Sequence, residues 1–399
     1  MAEAQAPAPD VEDRRARLLA LAALFLRLGT TAFGGPAAHI AMMEEEVVRR
    51  RRWLSSAEFV DLLGATNLIP GPNSTEMAIH VGHRRAGWPG LVVAGTCFIV
   101  PSAAITLALA WAYVRFGALP RMSGVLYGIK PVMIAVVAQA LWSLGRSAVK
   151  TRALGVLGAA AAASAGLGLD ELLVLVGGGL IAAAMPTEPP ARGGPEAQDP
   201  PATSNAAGVA AWTGAAGATV AATATPWSLF LVFAKIGSVL YGSGYVLLAF
   251  LRTELVERRH WLTEGQLVDA IAVGQLTPGP VFTTATFAGY LVNGSRGAAA
   301  ATAGIFLPAF VFVALSGRLI PRLRASRRAG AFLDGVNVAS LALMAVVTIQ
   351  LGRAALVDAP TVLLAAASAL LLVKWRVSSA WLIVGGAALG LAVSGLAPR

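Results

Sequence analysis

The chain reads as an all-α, polytopic membrane protein built from two homologous halves. Three observations carry this reading. Of 399 residues, 56% are hydrophobic and 13% charged, about half the charged share of an ordinary soluble domain. The apolar residues fall in long, nearly uncharged blocks rather than the short alternating segments of a β-barrel, and mean hydropathy is +0.69. The third observation is that the sequence repeats itself across its centre.

A shift of 208 positions aligns Phe25 with Phe233 and runs without a gap to Thr75 and Thr283. Along it Arg27 meets Lys235, Glu46 meets Glu254, Trp53-Leu54 meets Trp261-Leu262 and Asp61 meets Asp269. Asn67 meets Gln275, and Pro70-Gly71-Pro72 meets Pro278-Gly279-Pro280. After one deletion Gly82, Pro101 and Gly128 meet Gly289, Pro308 and Gly335. Shared apolar composition does not keep a Trp, an Asp and a Pro-Gly-Pro in one register. Such duplication is a common way of building a transporter.

The domain organisation follows. Residues 1–17 form a polar tail, 18–185 a first membrane domain, 186–226 a Pro-rich flexible linker and 227–399 a second membrane domain. No small-x-small cleavage site follows the first apolar run, so the N-terminus is expected to be retained. In the first half, a helix from about Leu18 to Met43 is interrupted at Gly34-Gly35-Pro36. A second, about Ser56 to Gly82, is broken at Pro70-Gly71-Pro72. A third spans Pro89 to Arg115, with Pro101 as a candidate kink, and a fourth Ser123 to Leu144. Two short apolar runs, Ala153 to Leu167 and Leu172 to Met185, close the half, and the series repeats from Trp227.

The net charge is +10, but the basic residues sit in clusters between apolar blocks, the pattern of membrane-flanking loops rather than of a nucleic-acid surface. The bias differs between halves. Arg146, Lys150 and Arg152 follow the fourth helix of the first half, whereas Arg318, Arg322, Arg324, Arg327 and Arg328 follow the third helix of the second. The halves are therefore expected to be oppositely oriented, with an odd number of crossings each and the Pro-Gly-Pro segment turning back.

Two prolines flanking a glycine end one helix and start another. In lipid, an interrupted backbone survives only inside protein or along a wet cavity. A restarted helix offers unpaired N–H groups and partial positive charge to an oxyanion. The candidate binding residues are therefore Gly34, Gly35, Asn67, Pro70, Gly71, Pro72, Asn73, Ser74 and Thr75 in the first half. In the second they are Gly242, Gln275, Thr277, Pro278, Gly279, Pro280, Thr283 and Thr284. Arg27 and Lys235, deep in apolar helices, are candidate anion-binding cations, with snorkelling as the simpler alternative. Asp61, Asp269, Glu46, Glu254 and Glu76 are candidates for coupling or ion pairing, although Glu46 and Glu254, among basic residues and tryptophans, read more as an interfacial belt than as a site. Glu76, His80 and His83 share helical spacing, but no second cluster completes a metal site. The one cysteine, Cys97, excludes an intrachain disulfide. No catalytic triad, P-loop or dinucleotide fingerprint is credible, so neither an enzyme nor a cofactor is expected.

The motifs resemble those of the chromate ion transporter family. The resemblance rests on Phe33-Gly34-Gly35-Pro36-Ala37-Ala38-His39-Ile40, Trp53-Leu54, Gly64 to Glu76 and Gly82 to Gly90. In the second half it rests on Gly242-Ser243-Gly244, Trp261-Leu262 and Thr277-Pro278-Gly279-Pro280. It covers all but the tail and the linker. His83 stands where the family usually has a tyrosine, as at Tyr290. The resemblance implies a two-domain inner-membrane carrier that expels chromate, with sulfate as a competitor. Residues and resemblance agree on a secondary carrier for a tetrahedral dianion, with lipid as its other partner and room for a homodimer. Another oxyanion as substrate, or a passive anion channel, remains the alternative.

Overall fold

A computed structural model describes residues 14–33, 35–116, 120–185, 224–241, 246–324, 326–375, 377 and 379–396. The tail through residue 13, most of the linker (186–223), Gly34, Gly242 and Arg376 lie outside the described residues, as do the side chains of Arg318, Arg322 and Arg324.

The described residues form helices throughout. The first half holds α1 (Arg14–Thr31), α2 (Gly35–Glu44), α3 (Ser56–Thr66), α4 (Asn73–Phe116), α5 (Pro120–Ala148), α6 (Arg152–Gly166) and α7 (Glu171–Ala184). The second holds α8 (Pro226–Val239), α9 (Leu247–Leu251), α10 (Glu264–Leu276), α11 (Thr284–Arg324), α12 (Arg327–Ala355), α13 (Ala359–Lys374) and α14 (Ser379–Leu396). The two series correspond element by element. α4 and α11, most of α5, and α12 are long and apolar enough to cross a membrane. Their outward side chains are apolar, including Trp88, Val92, Trp142, Leu307 and Ile349, as a lipid-facing surface requires.

Local chemistry sets the boundaries. Ser55 and Thr263 cap α3 and α10 through reciprocal bonds with Glu58 and Gln266. The interruption in α4 falls at Ala86-Gly87, not at Pro101, whose turn stays helical. Its counterpart in α11 is Asn293-Gly294. At both places the chain folds back: a Cβ on Gly82 would lie 2.2 Å from the Gly90 carbonyl oxygen, and one on Gly289 would lie 2.4 Å from that of Gly297.

The halves are interwoven. α6 and α7 pack on α12, while α13 and α14 pack on α5. The closest crossings leave no room for a side chain: a Cβ on Gly128 would meet the Gly386 carbonyl oxygen at 1.9 Å, and one on Gly335 would meet that of Gly178 at 2.4 Å. Equivalent helices α5 and α12 run antiparallel. Lys150, just past the end of α5, pairs with Asp334 near the start of α12 at 2.7 Å. Reciprocally, Tyr127 near the start of α5 donates to Asp358, just past the end of α12, at 2.6 Å.

Candidate functional site

The Pro-Gly-Pro segments sit at the tips of two helical hairpins. α3 ends at Thr66 and α4 begins at Asn73. Arg84, late in the first stretch of α4, reaches Glu58 in the first turn of α3 at 3.2 Å, so the two helices return to one end. At about 1.5 Å per residue they are roughly 16–20 Å long, well short of a hydrocarbon core of about 30 Å. In the second half, α10 and α11 lie so close beside the tip that a Cβ on Gly274 would strike the Thr284 hydroxyl.

Each tip docks on the opposite half. The Gly71 N–H donates to the carbonyl of Leu240, past the end of α8, at 2.8 Å, and the Gly279 N–H donates to that of Ala32, past the end of α1, also at 2.8 Å. Leu240 and Ala32 are themselves repeat equivalents. Gly71 and Gly279 have φ of +139° and +85°, which only glycine adopts without strain. A Cβ at Gly71 would face Ala309 of α11 at 3.7 Å, and one at Gly279 would face Ser102 of α4 at 2.7 Å. Each tip thus lies against the end of the other half's first helix and against the long helix that follows the other tip.

Most candidate residues gather there. Pro70, Gly71, Pro72, Thr277, Pro278, Gly279 and Pro280 are buried. Ser74, Thr75, Thr283 and Thr284 are buried in the first turns after the tips. Thr283 and Thr284 donate back to Pro280 and Val281 carbonyls, and Thr283 also lies 3.2 Å from Ser102. The Thr75 hydroxyl, the Thr106 hydroxyl one turn past Ser102, and the Gln275 amide nitrogen are buried without a partner, so hydrogen-bonding capacity is left unspent. Asn73 donates to Asn67 across the first break at 2.9 Å, and Asn67 itself is exposed. Gly35 opens α2.

The candidate cations are engaged elsewhere. Arg27 pairs with Glu46 at 2.7 Å and Lys235 with Glu254 at 2.7 Å. Glu46 also receives Arg50 and Arg51, and Glu254 receives Arg258 and Arg259. Both acids are buried, and each is the hub of a cationic cluster. The cause is a π-helical stretch, Glu45–Arg50 and Arg252–Arg258, whose wide turn lets residues four and five positions on reach the same carboxylate. Arg27 and Lys235 do not pair with the aspartates. Asp269 instead binds Lys130 of α5 at 3.0 Å and accepts from Tyr113 at 2.9 Å. Asp61 is exposed on α3.

Sequence reasoning missed Ser102, Thr106, Tyr113 and Lys130. The signal for Lys130 was available, as a cation inside an apolar block; its repeat equivalent is Asn337, so the duplication did not point to it.

Residues 19–183 and 227–391 each match the family model described as chromate transporter. The chromate transport protein of Cupriavidus metallidurans is 34% identical over 388 residues, covering 92% of this chain and 90% of the relative. That of Pseudomonas aeruginosa is 33% identical over 338 residues, covering 84% and 80%. The uncharacterized transporter YwrA of Bacillus subtilis is 36% identical over 118 residues, 30% of this chain and 66% of the relative. No solved structure matches.

Proposed function

The chain belongs to the chromate transporter family, and from that premise we propose that it exports chromate from the cytoplasm across the plasma membrane and so confers chromate resistance. The observation that carries the mechanism is the reciprocal docking of Gly71 on Leu240 and Gly279 on Ala32. A tetrahedral dianion needs several oriented donors in a water-poor site. The Thr75 and Glu76 amides are spent on the Pro72 carbonyl and that of Thr283 on Pro280, so the amides ahead of them, of Asn73 and Ser74 and of Val281 and Phe282, are the ones that precede the first helical hydrogen bond. Together with the Ser74, Thr75 and Thr106 hydroxyls, they supply such donors beside the tips. Sulfate has the same shape and charge and is expected to compete.

The two halves sit in opposite orientations in the bilayer. Antiparallel α5 and α12 support this, because halves related by an axis along the membrane normal would keep equivalent helices parallel. The Lys150–Asp334 pair also brings the two basic loops to one end of the molecule, the cytoplasmic end by the positive-inside rule. Transport then follows from rocking one half against the other, with the tips exchanging partners.

The test is chromate movement in sealed proteoliposomes. Saturable uptake, accelerated by chromate preloaded inside, is expected of a carrier. Linear flux without that acceleration refutes the carrier in favour of a channel, and no flux above protein-free vesicles refutes both.

A further inference from the structure

Glu76 is the most anomalous side chain in the described structure. It lies in the first turn of α4, directly after the first tip. Its solvent exposure is 0%, and neither carboxyl oxygen has a hydrogen-bond partner. Among the described residues no lysine or arginine pairs with it, unlike Glu46, Glu254 and Asp269. The carboxyl is packed against the tip itself, since a Cβ on Gly71 would fall 2.3 Å from Oε1. Across from it the α11 surface packed on Ile69 and Ile79 is apolar, formed by Ala309, Phe310 and Val313. The titratable groups facing it are the Tyr241 phenol, on the opposite half, and His80, one turn along its own helix. An unpaired carboxylate in such surroundings costs several kcal/mol, so the group sits there as the neutral acid.

A route for the proton is built into the same helix. Glu76, His80 and His83 stand at i, i+4 and i+7, on one face of α4. Exposure rises along the series: His80 is 5% exposed with Nε2 unpartnered, and His83 is half-buried against Trp88 near the fold-back at Ala86-Gly87. The climb from carboxyl to outer imidazole is about 10 Å. The other half offers nothing comparable, because Thr284 occupies the place of Glu76 and turns its hydroxyl to Val281.

We propose that Glu76 is the proton-binding site of the carrier, loaded and unloaded through His80 and His83, so that one proton is bound and released in each transport cycle. When the tip leaves Leu240, the carboxyl loses its apolar cover, meets water and ionises. A pH gradient thereby biases the exchange of tips. The absence of a second acid at Thr284 makes the count one rather than two. This rests on the carrier reading above, and the experiment separates them.

Purified wild type, Glu76→Gln and His80→Gln are reconstituted in vesicles with the membrane voltage clamped at zero. Chromate counterflow is measured with equal pH on both sides, and chromate accumulation with a gradient of about one pH unit. Counterflow needs only a carrier; accumulation needs the proton. Wild type is expected to build about a tenfold chromate gradient, the equivalent of one proton per anion. Glu76→Gln should keep counterflow and build none, and His80→Gln should approach the wild-type gradient several-fold more slowly. A gradient in Glu76→Gln equal to wild type, or none in a wild type that shows counterflow, overturns the proton site. An unchanged rate in His80→Gln overturns the route. Infrared difference spectra at neutral pH give a readout without transport. A carboxylic-acid carbonyl band present in wild type and missing in Glu76→Gln supports the site, and identical spectra overturn it even if chromate itself proves not to be carried.

Discussion

Replacing Gly279 by alanine probes the docked tip directly. Its φ of +85° is a conformation that costs an L side chain about 1–3 kcal/mol. The new Cβ would lie 2.7 Å from the Ser102 Cβ and 3.0 Å from the Gly29 carbonyl oxygen. Those atoms belong to α4 and α1, which are packed on each other, so relief requires moving backbone. Crowding of that kind costs about 1–3 kcal/mol. If the tip withdraws instead, it escapes the crowding but gives up its bond to Ala32, about 1 kcal/mol. Strain and crowding together, roughly 2–6 kcal/mol, disfavour the docked arrangement by about thirtyfold or more. Gly294→Ala is the internal control, because its φ is +56° but a Cβ there meets nothing within 4 Å. It carries backbone strain without crowding. The assay is chromate counterflow at matched reconstitution, with thermal unfolding of the purified variants alongside. Gly279→Ala is expected to lose at least tenfold in rate, and Gly294→Ala to keep most of it. Wild-type counterflow in Gly279→Ala would refute the idea that the tip must seat on Ala32.

Further outcomes follow from the charge clusters. Lys235→Gln removes one cation from buried Glu254 but leaves Arg258 and Arg259, so a loss of about 1–3 kcal/mol is expected, partly restored by adding Glu254→Gln; unchanged thermal stability in the single variant would contradict the hub. Lys130→Gln strands Asp269 beside Tyr113 and should lower the unfolding temperature by several degrees, with recovery on adding Asp269→Asn; a double variant no better than the single would show that the pair is not coupled. Single cysteines at 150 and at 334 in a Cys97→Ser background should each resist impermeant labelling from outside the cell; strong external labelling of either would overturn the shared cytoplasmic end.

Much of the architecture was legible because it is written in backbone chemistry. Gly34-Gly35-Pro36 marked the end of the first helix, and α1 does stop at Thr31. The duplication was legible because Trp, Asp and Pro-Gly-Pro hold one register. The boundary expected between Gly82 and Pro89 falls at Ala86-Gly87, where a glycine takes φ of +65°, while the candidate kink at Pro101 keeps helical backbone angles. The destination of charge was less legible. Arg27 and Lys235 looked like site cations because hydropathy shows depth but not direction. Their partners depend on a π-turn that brings Glu46 and Glu254 inward, and local propensity does not encode that register. Ser102 and Thr106 were invisible for a related reason: a small hydroxyl in an apolar helix acquires meaning only when the opposite tip arrives beside it.

The crossing of Gly128 with Gly386 also bears on how the chain comes to exist. The surface of α5 that receives α14 is translated about 260 residues before α14 itself. At roughly 5–20 residues per second, that surface waits on the order of 10–50 s for its cover. The contacts of α12 with α6 and α7 can close earlier, because α6 and α7 are already in the membrane when α12 arrives. Each half covers the fifth helix of the other, so burial of α5 waits for α13 and α14. Truncating α14 should therefore leave a fully inserted but proteolysis-prone chain, whereas the two halves made as separate polypeptides should find each other in the bilayer.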